Sequence, residues 1–383
     1  MNEQDVRTLL DDLAGTPAPP SQVDVQRAVT TVRRQARTRA WVSAAAAILV
    51  VGLGAGITYA TMDTSSPAAG STPTNAPTTA PVTSAPTRFD PLVQYASFDW
   101  LPSDKLTWRS TSINPEQFAM SAGEYVPDPA NGPNAALPAP SVDVRLYAAG
   151  VVPQTEKPIE AQIPGGGTQT INYGPVTDAP AVDGAPAYWV GAPGGSEMII
   201  LKWRYAPDGW AELYVSQFDG DQREIAHRVA SALSVGSAER LRFPFHLTGL
   251  PAGLRPTSSA FDEGGLTWPW HASLDLNTQA DGTGPGVSVA VNPTTDQSDG
   301  RAPNTTVDGH PARRETFGGD HLGRPEYSDR LYVYDVEGLE ATVFIGATMA
   351  EAAAPLGADG ALGLYRAVTV HPDRADWTDQ PVR

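Results

Sequence analysis

The chain has 383 residues with 36 Gly, 36 Pro and no Cys, and a formal net charge of −17. That length is too great for one small domain and points to two or three units. The lack of cysteine excludes disulfides, thiol nucleophiles, Cys-ligated metal centres and lipid attachment through cysteine; the acidic balance argues against a nucleic acid partner and against docking on anionic headgroups, which both need cationic contacts.

Residues 1–40 read as a short head with two helical segments. In the first, Val6, Leu9, Leu10 and Leu13 recur at helical spacing. Gly15 and the Pro-rich cluster Thr16 to Pro20 stop it. Ser21 is placed to cap a second helix carrying Val25, Ala28, Val29 and Val32. That helix runs into Arg33, Arg34, Arg37 and Arg39.

Trp41 to Ala60 is an uncharged run rich in Ala, Val and Gly. At about 1.5 Å per residue it spans about 30 Å, a bilayer's hydrocarbon thickness. The spacing predicts a transmembrane helix over 41–61, with Trp41 and Tyr59 near the two interfaces. Four arginines on one flank against Asp63 on the other predict a cytoplasmic head and an extracytoplasmic C-terminal part in the cell membrane. A forty-residue polar leader is too long for a signal peptide, which favours an uncleaved anchor. Residues 62–88 are rich in Thr, Ser, Pro and Ala and read as a disordered linker of up to ~80 Å.

The remainder reads as two α+β units, 89–237 and 238–375, with a tail at 376–383. Val182-Asp183-Gly184-Ala185-Pro186-Ala187 is matched by Val307-Asp308-Gly309-His310-Pro311-Ala312. Asp-Gly is turn chemistry, so each copy predicts a tight turn between strands. The flanks agree in order. SVDVRLYA (141–148) matches GVSVAVNP (286–293), SEMIILKWRY (196–205) matches SDRLYVYDV (328–336), and WAELYVSQF (210–218) matches LEATVFIGA (339–347). Each copy closes on a helix, Asp221 to Leu233 in the first and Ala358 to Val368 in the second. The expected fold is therefore tandem duplicated antiparallel β-sheet units, each closed by a C-terminal helix, plus one transmembrane helix.

This layout resembles actinobacterial single-pass membrane proteins with a short head, an Arg cluster, an apolar helix, a Pro/Thr linker and an ectodomain of unknown function. Val182 to Leu233, with Trp203, Gly209 and the ending Ala230-Ser231-Ala232-Leu233, is similar to ectodomains of some sigma-factor regulators, the anti-sigma-like proteins. The resemblance implies a cytoplasmic protein partner at residues 1–40. The head has no His and no Cys, so no zinc site carries over from the zinc-binding anti-sigma domains.

No catalytic constellation stands out, and the chain reads as a non-enzyme without cofactor. Ser196 follows Gly194-Gly195 but precedes a strand, the reverse of a nucleophile elbow. His310, Glu315, Asp320, His321 and Glu326 form the densest ligand-type cluster, yet lack metal-site spacing and read as a solvated loop at Gly318-Gly319. Asp219-Gly220-Asp221 and Asp296 to Gly300 lack alternating calcium ligands; Asp219 or Asp221 is placed to cap the following helix. Trp268-Pro269-Trp270-His271 is the aromatic group that fits ligand stacking. In a strand Trp268 and Trp270 share one face, which is more often the core, a reading that also suits Trp203 and Trp210. Two function classes follow: an envelope protein whose ectodomain binds or senses something and whose head contacts a regulator such as a sigma factor, or an envelope structural or hydrophobic-ligand carrier protein with no cytoplasmic partner.

Overall fold

A computed structural model describes residues 82–127, 136–137, 139–162, 168–265, 268–280, 286–294, 302–321, 324–347 and 359–383. The head, the span expected at 41–61, Arg33, Arg34, Arg37 and Arg39, most of the linker and the acidic turn 296–300 lie outside these residues. Among the described residues no helix is long and apolar enough to cross a membrane.

The described residues are predominantly antiparallel β with few helices. In chain order its strands are β1 (Val93–Phe98), β2 (Trp108–Ile113), β3 (Gln117–Gly123), β4 (Val126–Pro127), β5 (Ala136–Leu137), β6 (Ser141–Tyr147), β7 (Ile159–Gln162) and β8 (Thr168–Ile171). Then come β9 (Val176–Val182), β10 (Ala185–Val190), β11 (Ile199–Ala206) and β12 (Gly209–Ser216), helix α1 (Gln222–Ser231) and β13 (Leu233–Arg240). The rest is β14 (Phe245–Leu247), β15 (Arg255–Glu263), β16 (Trp270–Asn277), β17 (Gly286–Pro293), β18 (Thr305–Val307), β19 (His310–His321), β20 (Arg324–Val336), β21 (Leu339–Ala347), helix α2 (Ala361–Tyr365) and β22 (Val368–Val370). The chain divides into two units. One includes the hairpin β7–β8, where the Thr170 hydroxyl donates to Glu160 at 2.8 Å. The other holds the elements described below.

Its centre is a 14-stranded sheet in the order β18-β19-β20-β21-β17-β16-β15-β2-β3-β6-β12-β11-β10-β9. Read outward from the β2–β15 pair, both directions give three strands in chain order and then four in reverse order. The helix that follows the last strand of each run packs on that run, α1 on β11 and β12, α2 on β20 and β21. The strand after each helix then pairs with the strand that precedes the run in the chain, β13 with β1 and β22 with β14.

Alternation decides what lies inside. Val142, Val144 and Leu146 of β6 are fully buried, as are Ala211, Leu213 and Val215 of β12. Val289 and Val291 of β17 and Ala341 and Val343 of β21 repeat the pattern in the second run. These side chains join one apolar cluster beneath the helices. Each fully buried Val or Leu contributes about 1.5–3 kcal/mol of transfer free energy.

Helix α1 starts where Asp221 accepts from the backbone N–H of Arg223 at 2.9 Å and of Glu224 at 3.3 Å. Ala226, Val229 and Ala230 face the sheet. Replacing Asp221 by Ala is expected to cost about 0.5–2 kcal/mol, measured as a lower thermal unfolding midpoint with the fold's circular dichroism retained. Helix α2 is shorter than the expected 358–368: Gly360 at φ 61° opens it, and the chain has passed into β22 by Val368. Gly363 within it weakens helix formation further.

The fold also takes in residues at both ends that the composition assigns to linker and tail. Ala85 is buried and its N–H donates to Asp208 at 2.7 Å. Beyond 375, Trp377 is buried, and Phe243 and Thr378 exchange backbone hydrogen bonds of 2.8 and 3.0 Å. Arg383 N–H donates to the Leu247 carbonyl at 3.0 Å.

Candidate functional site

The sheet face opposite the helices carries most of the buried polar side chains. On β12 Glu212 is fully buried. It accepts from the Tyr147 and Tyr214 hydroxyls, both at 2.6 Å, from the Thr155 N–H at 3.0 Å and from the Thr155 hydroxyl. This carboxylate is fully partnered and fastens the 3-10 turn Gln154–Glu156 over the sheet. Burial, then the Glu212 charge, pushes both tyrosines well above the ordinary phenol range. Arg145 beside them donates to Asp143 at 2.9 Å and lies 4.7 Å from the Tyr214 ring centre. Burial opposes its charge, but Asp143 and the tyrosines outweigh that and hold its pKa above the usual arginine value. Lys202 pairs with Glu156.

A second polar group lies where the two strand runs meet. Register places Asp143, Ser121, Ser110, Asp262 and His271 side by side on β6, β3, β2, β15 and β16. The row is satisfied at one end, where Ser121 donates to Asp143 at 2.7 Å. At the other end it is not. Asp262 is 1% exposed and His271 5% exposed. Neither carboxyl oxygen of Asp262 and not the Nδ1 of His271 has a hydrogen-bond partner among the described residues. Burial pushes Asp262 well above the carboxylate range, opposed in part by the Ser110 hydroxyl opposite, which is not placed for a well-formed hydrogen bond. Burial pushes His271 down to about 3. Burial thus favours the neutral form of both groups, an acid that can donate beside an imidazole that can accept. Leaving such groups unpaired costs about 1–3 kcal/mol each, and perturbed titratable groups cluster at functional sites.

Trp268 closes the group. It lies in the β15–β16 connection, and its ring stacks on His271 with centroids 5.5 Å apart and planes at 28°. Its indole Nε1 is buried without a partner. The strand begins only at Trp270, so the expected shared face does not extend to Trp268. Trp270 is buried against Trp377, with ring centroids 5.1 Å apart. The structure therefore separates the two tryptophans and leaves Trp268 with His271. The one signal of Asp262 in the sequence is an acid inside the alternating run SSAFDE.

The other sequence candidates are placed as follows. Trp203 is in the core. Trp210 is not: it lies on the polar face, with the Lys202 ammonium and Arg204 guanidinium 4.3 and 3.8 Å from its ring centre. The reason is parity, since its neighbour Ala211 takes the core position. Ser196 ends a 3-10 turn before β11. His310 contacts the Asp335 carbonyl at 2.9 Å, and Glu315 pairs with Arg313. Gly318 and Gly319 continue strand β19 opposite Tyr327 and Glu326, so that segment is a hairpin arm where a loop was expected. Among the described residues no group of three or more His, Cys, Asp or Glu is placed to hold a metal ion.

No protein-family profile matches this chain, and no curated protein matches it. Solved structures that resemble it include a crystal structure of MucB in complex with MucA(peri), at 10% identity, and the Pseudomonas aeruginosa MucA/MucB complex, at 11%. Each match covers 70% of this chain and 94% of the matched chain, with a TM-score of 0.22. A likeness of that size carries neither architecture nor role across to this protein.

Proposed function

We propose that this chain is a non-enzymatic, single-pass envelope protein whose C-terminal part binds or senses a ligand outside the membrane. Its head, residues 1–40, would contact a cytoplasmic regulator such as a sigma factor. The observation that carries the binding role is the unpartnered set of Asp262, His271 and Trp268 at the sheet centre. A ligand with hydroxyl or amide groups supplies the missing hydrogen bonds there, and stability given up at the site is recovered as affinity. The order of the row favours binding over hydrolysis. Asp262 sits between Ser110 and His271, whereas a serine nucleophile needs the imidazole next to it. The matched strand orders support the tandem-duplication reading of the two runs.

Two measurements test this. Hydrogen exchange on the full-length protein with and without native-host envelope extract is expected to show added protection at 262–263 and 268–273; no change there removes the binding role. Co-purification of the tagged full-length protein from native-host lysate is expected to bring down a cytoplasmic regulator through residues 1–40. Recovery no better than with a scrambled head removes the signalling role.

A further inference from the structure

The two strand runs differ in side chains on the helix-covered face of their outer strands. The fifth residue after the turn glycine is Trp189 in β10 and Arg314 in β19. Trp189 is 8% exposed and has the Arg223 guanidinium of α1 5.3 Å from its ring centre. Trp189 pairs with Leu201, and Arg314 with Leu331. Two residues before those partners stand Ile199 in the first run and Asp329 in the second. An apolar pair in one run is thus an ion pair in the other. Arg314 grips Asp329 with bonds of 3.0 and 2.7 Å. The second helix is also shorter, five residues against ten. Arg314, at the position that Trp189 holds in the first run, lines a cavity of about 380 Å³.

Its walls are of two kinds. Val307, Leu331 and Leu362 supply an apolar floor. Arg314 on the wall is already neutralised by Asp329. At the rim stand Asp308 and Arg366, each 54% exposed, with Arg366 Nε 3.8 Å from Asp308 Oδ2, too long for a hydrogen bond. Their charges cancel, so a simple anion or cation gains from one and loses to the other. A ligand that carries both charges gains from both.

We propose that this cavity binds a small zwitterion with an apolar side chain, an amino acid or dipeptide. The carboxylate would sit on the Arg366 guanidinium in the two-bond geometry arginine favours. The ammonium would sit on Asp308, and the side chain on Val307, Leu331 and Leu362. The volume lies in the range of small-molecule sites. The cavity is on the helix-covered face, opposite the Asp262–His271 row, so the two sites stand or fall separately.

The test is binding of leucyl-leucine to the detergent-solubilised full-length protein by calorimetry, beside its N-acetylated and C-amidated forms. Saturable binding of the free dipeptide is expected, with each blocked form at least tenfold weaker. Arg366→Gln should remove the preference for the free carboxylate, and Asp308→Asn the preference for the free ammonium. Both positions are exposed, and Asn tolerates the φ of 49° at Asp308, so both variants should unfold at the parent temperature. Arg314→Trp with Asp329→Ile, which copies the first run, should fill the cavity and abolish binding, while Asp262→Asn should leave it unchanged. No saturable binding, equal binding of all three peptides, or loss of binding in Asp262→Asn would overturn the proposal.

Discussion

Replacing Arg314 by Leu is expected to lower the stability of the folded chain by about 3–5 kcal/mol, read from the denaturant midpoint. The reason is the carboxylate it leaves behind. Asp329 has no exposed surface. Three hydrogen bonds satisfy it: two from Arg314, and one at 2.8 Å from the Ala361 N–H at the start of α2. Without the guanidinium a buried charge keeps one N–H, and desolvation is no longer offset by an opposite charge. Arg314 also donates to the Asp359 carbonyl at 3.1 Å, so the same change loosens the entry to α2. The double variant Arg314→Trp with Asp329→Ile separates the pair's own worth from the penalty of breaking it. Apolar replacement of a buried ion pair is often neutral or stabilising, and the first run shows that this sheet position accepts Trp189 and Ile199. The double variant should therefore recover most of the loss. Equal losses in both variants would mean that packing in the second run, not the unpaired carboxylate, sets the cost.

That contrast also shows what was legible in the sequence. Strands such as SVDVRLY and GVSVAVNP announce themselves because side-chain direction has period two and one face is apolar. The Asp-Gly turns are equally local: Asp183 and Gly184 take φ of 51° and 82°, Asp308 and Gly309 49° and 91°, the mirror-image turn that two-residue hairpins need. The cap at Asp221 follows from chemistry within three residues. What could not be read is set by distance and depth. Pairing of β2 with β15 joins residues about 150 positions apart, and no local pattern encodes it. Parity fails by a single residue, which is why Trp210 faces Lys202 and Arg204 and not the core. Asp262 and His271 are close in sequence and register, yet their polarity alone suggests exposure. Only the assembled sheet shows them buried.

Acid and base should act on the sheet centre in opposite senses, and two single variants should reveal it. His271 is held down at about 3 by burial. Below its unfolded pKa, about 6.5, the unfolded chain binds a proton that the folded chain refuses, so this group makes stability fall as pH drops from about 6.5 toward 3. Asp262 is held well above the carboxylate range by burial. Above an unfolded pKa of about 3.9, the unfolded chain releases a proton that the folded chain keeps, so this group makes stability fall as pH rises. Each slope is about 1.4 kcal/mol per pH unit. Above about pH 4 the two oppose each other and flatten the parent curve. Asp262→Asn removes the second effect and should expose acid sensitivity, a loss of stability from pH 6 to pH 4 relative to the parent. His271→Gln should do the reverse and gain about 2–3 kcal/mol over the same interval. Asp275, also raised by burial and bonded to Ser258, contributes equally to all three curves and cancels in the differences. Urea titrations across pH 4–7 measure this directly. Parallel curves for the three proteins would mean that Asp262 and His271 titrate as they do in the unfolded chain, and the buried neutral pair would then be wrong. A ligand that hydrogen-bonds both groups should protect the folded state most where both are neutral, which ties the stability curve to the binding site.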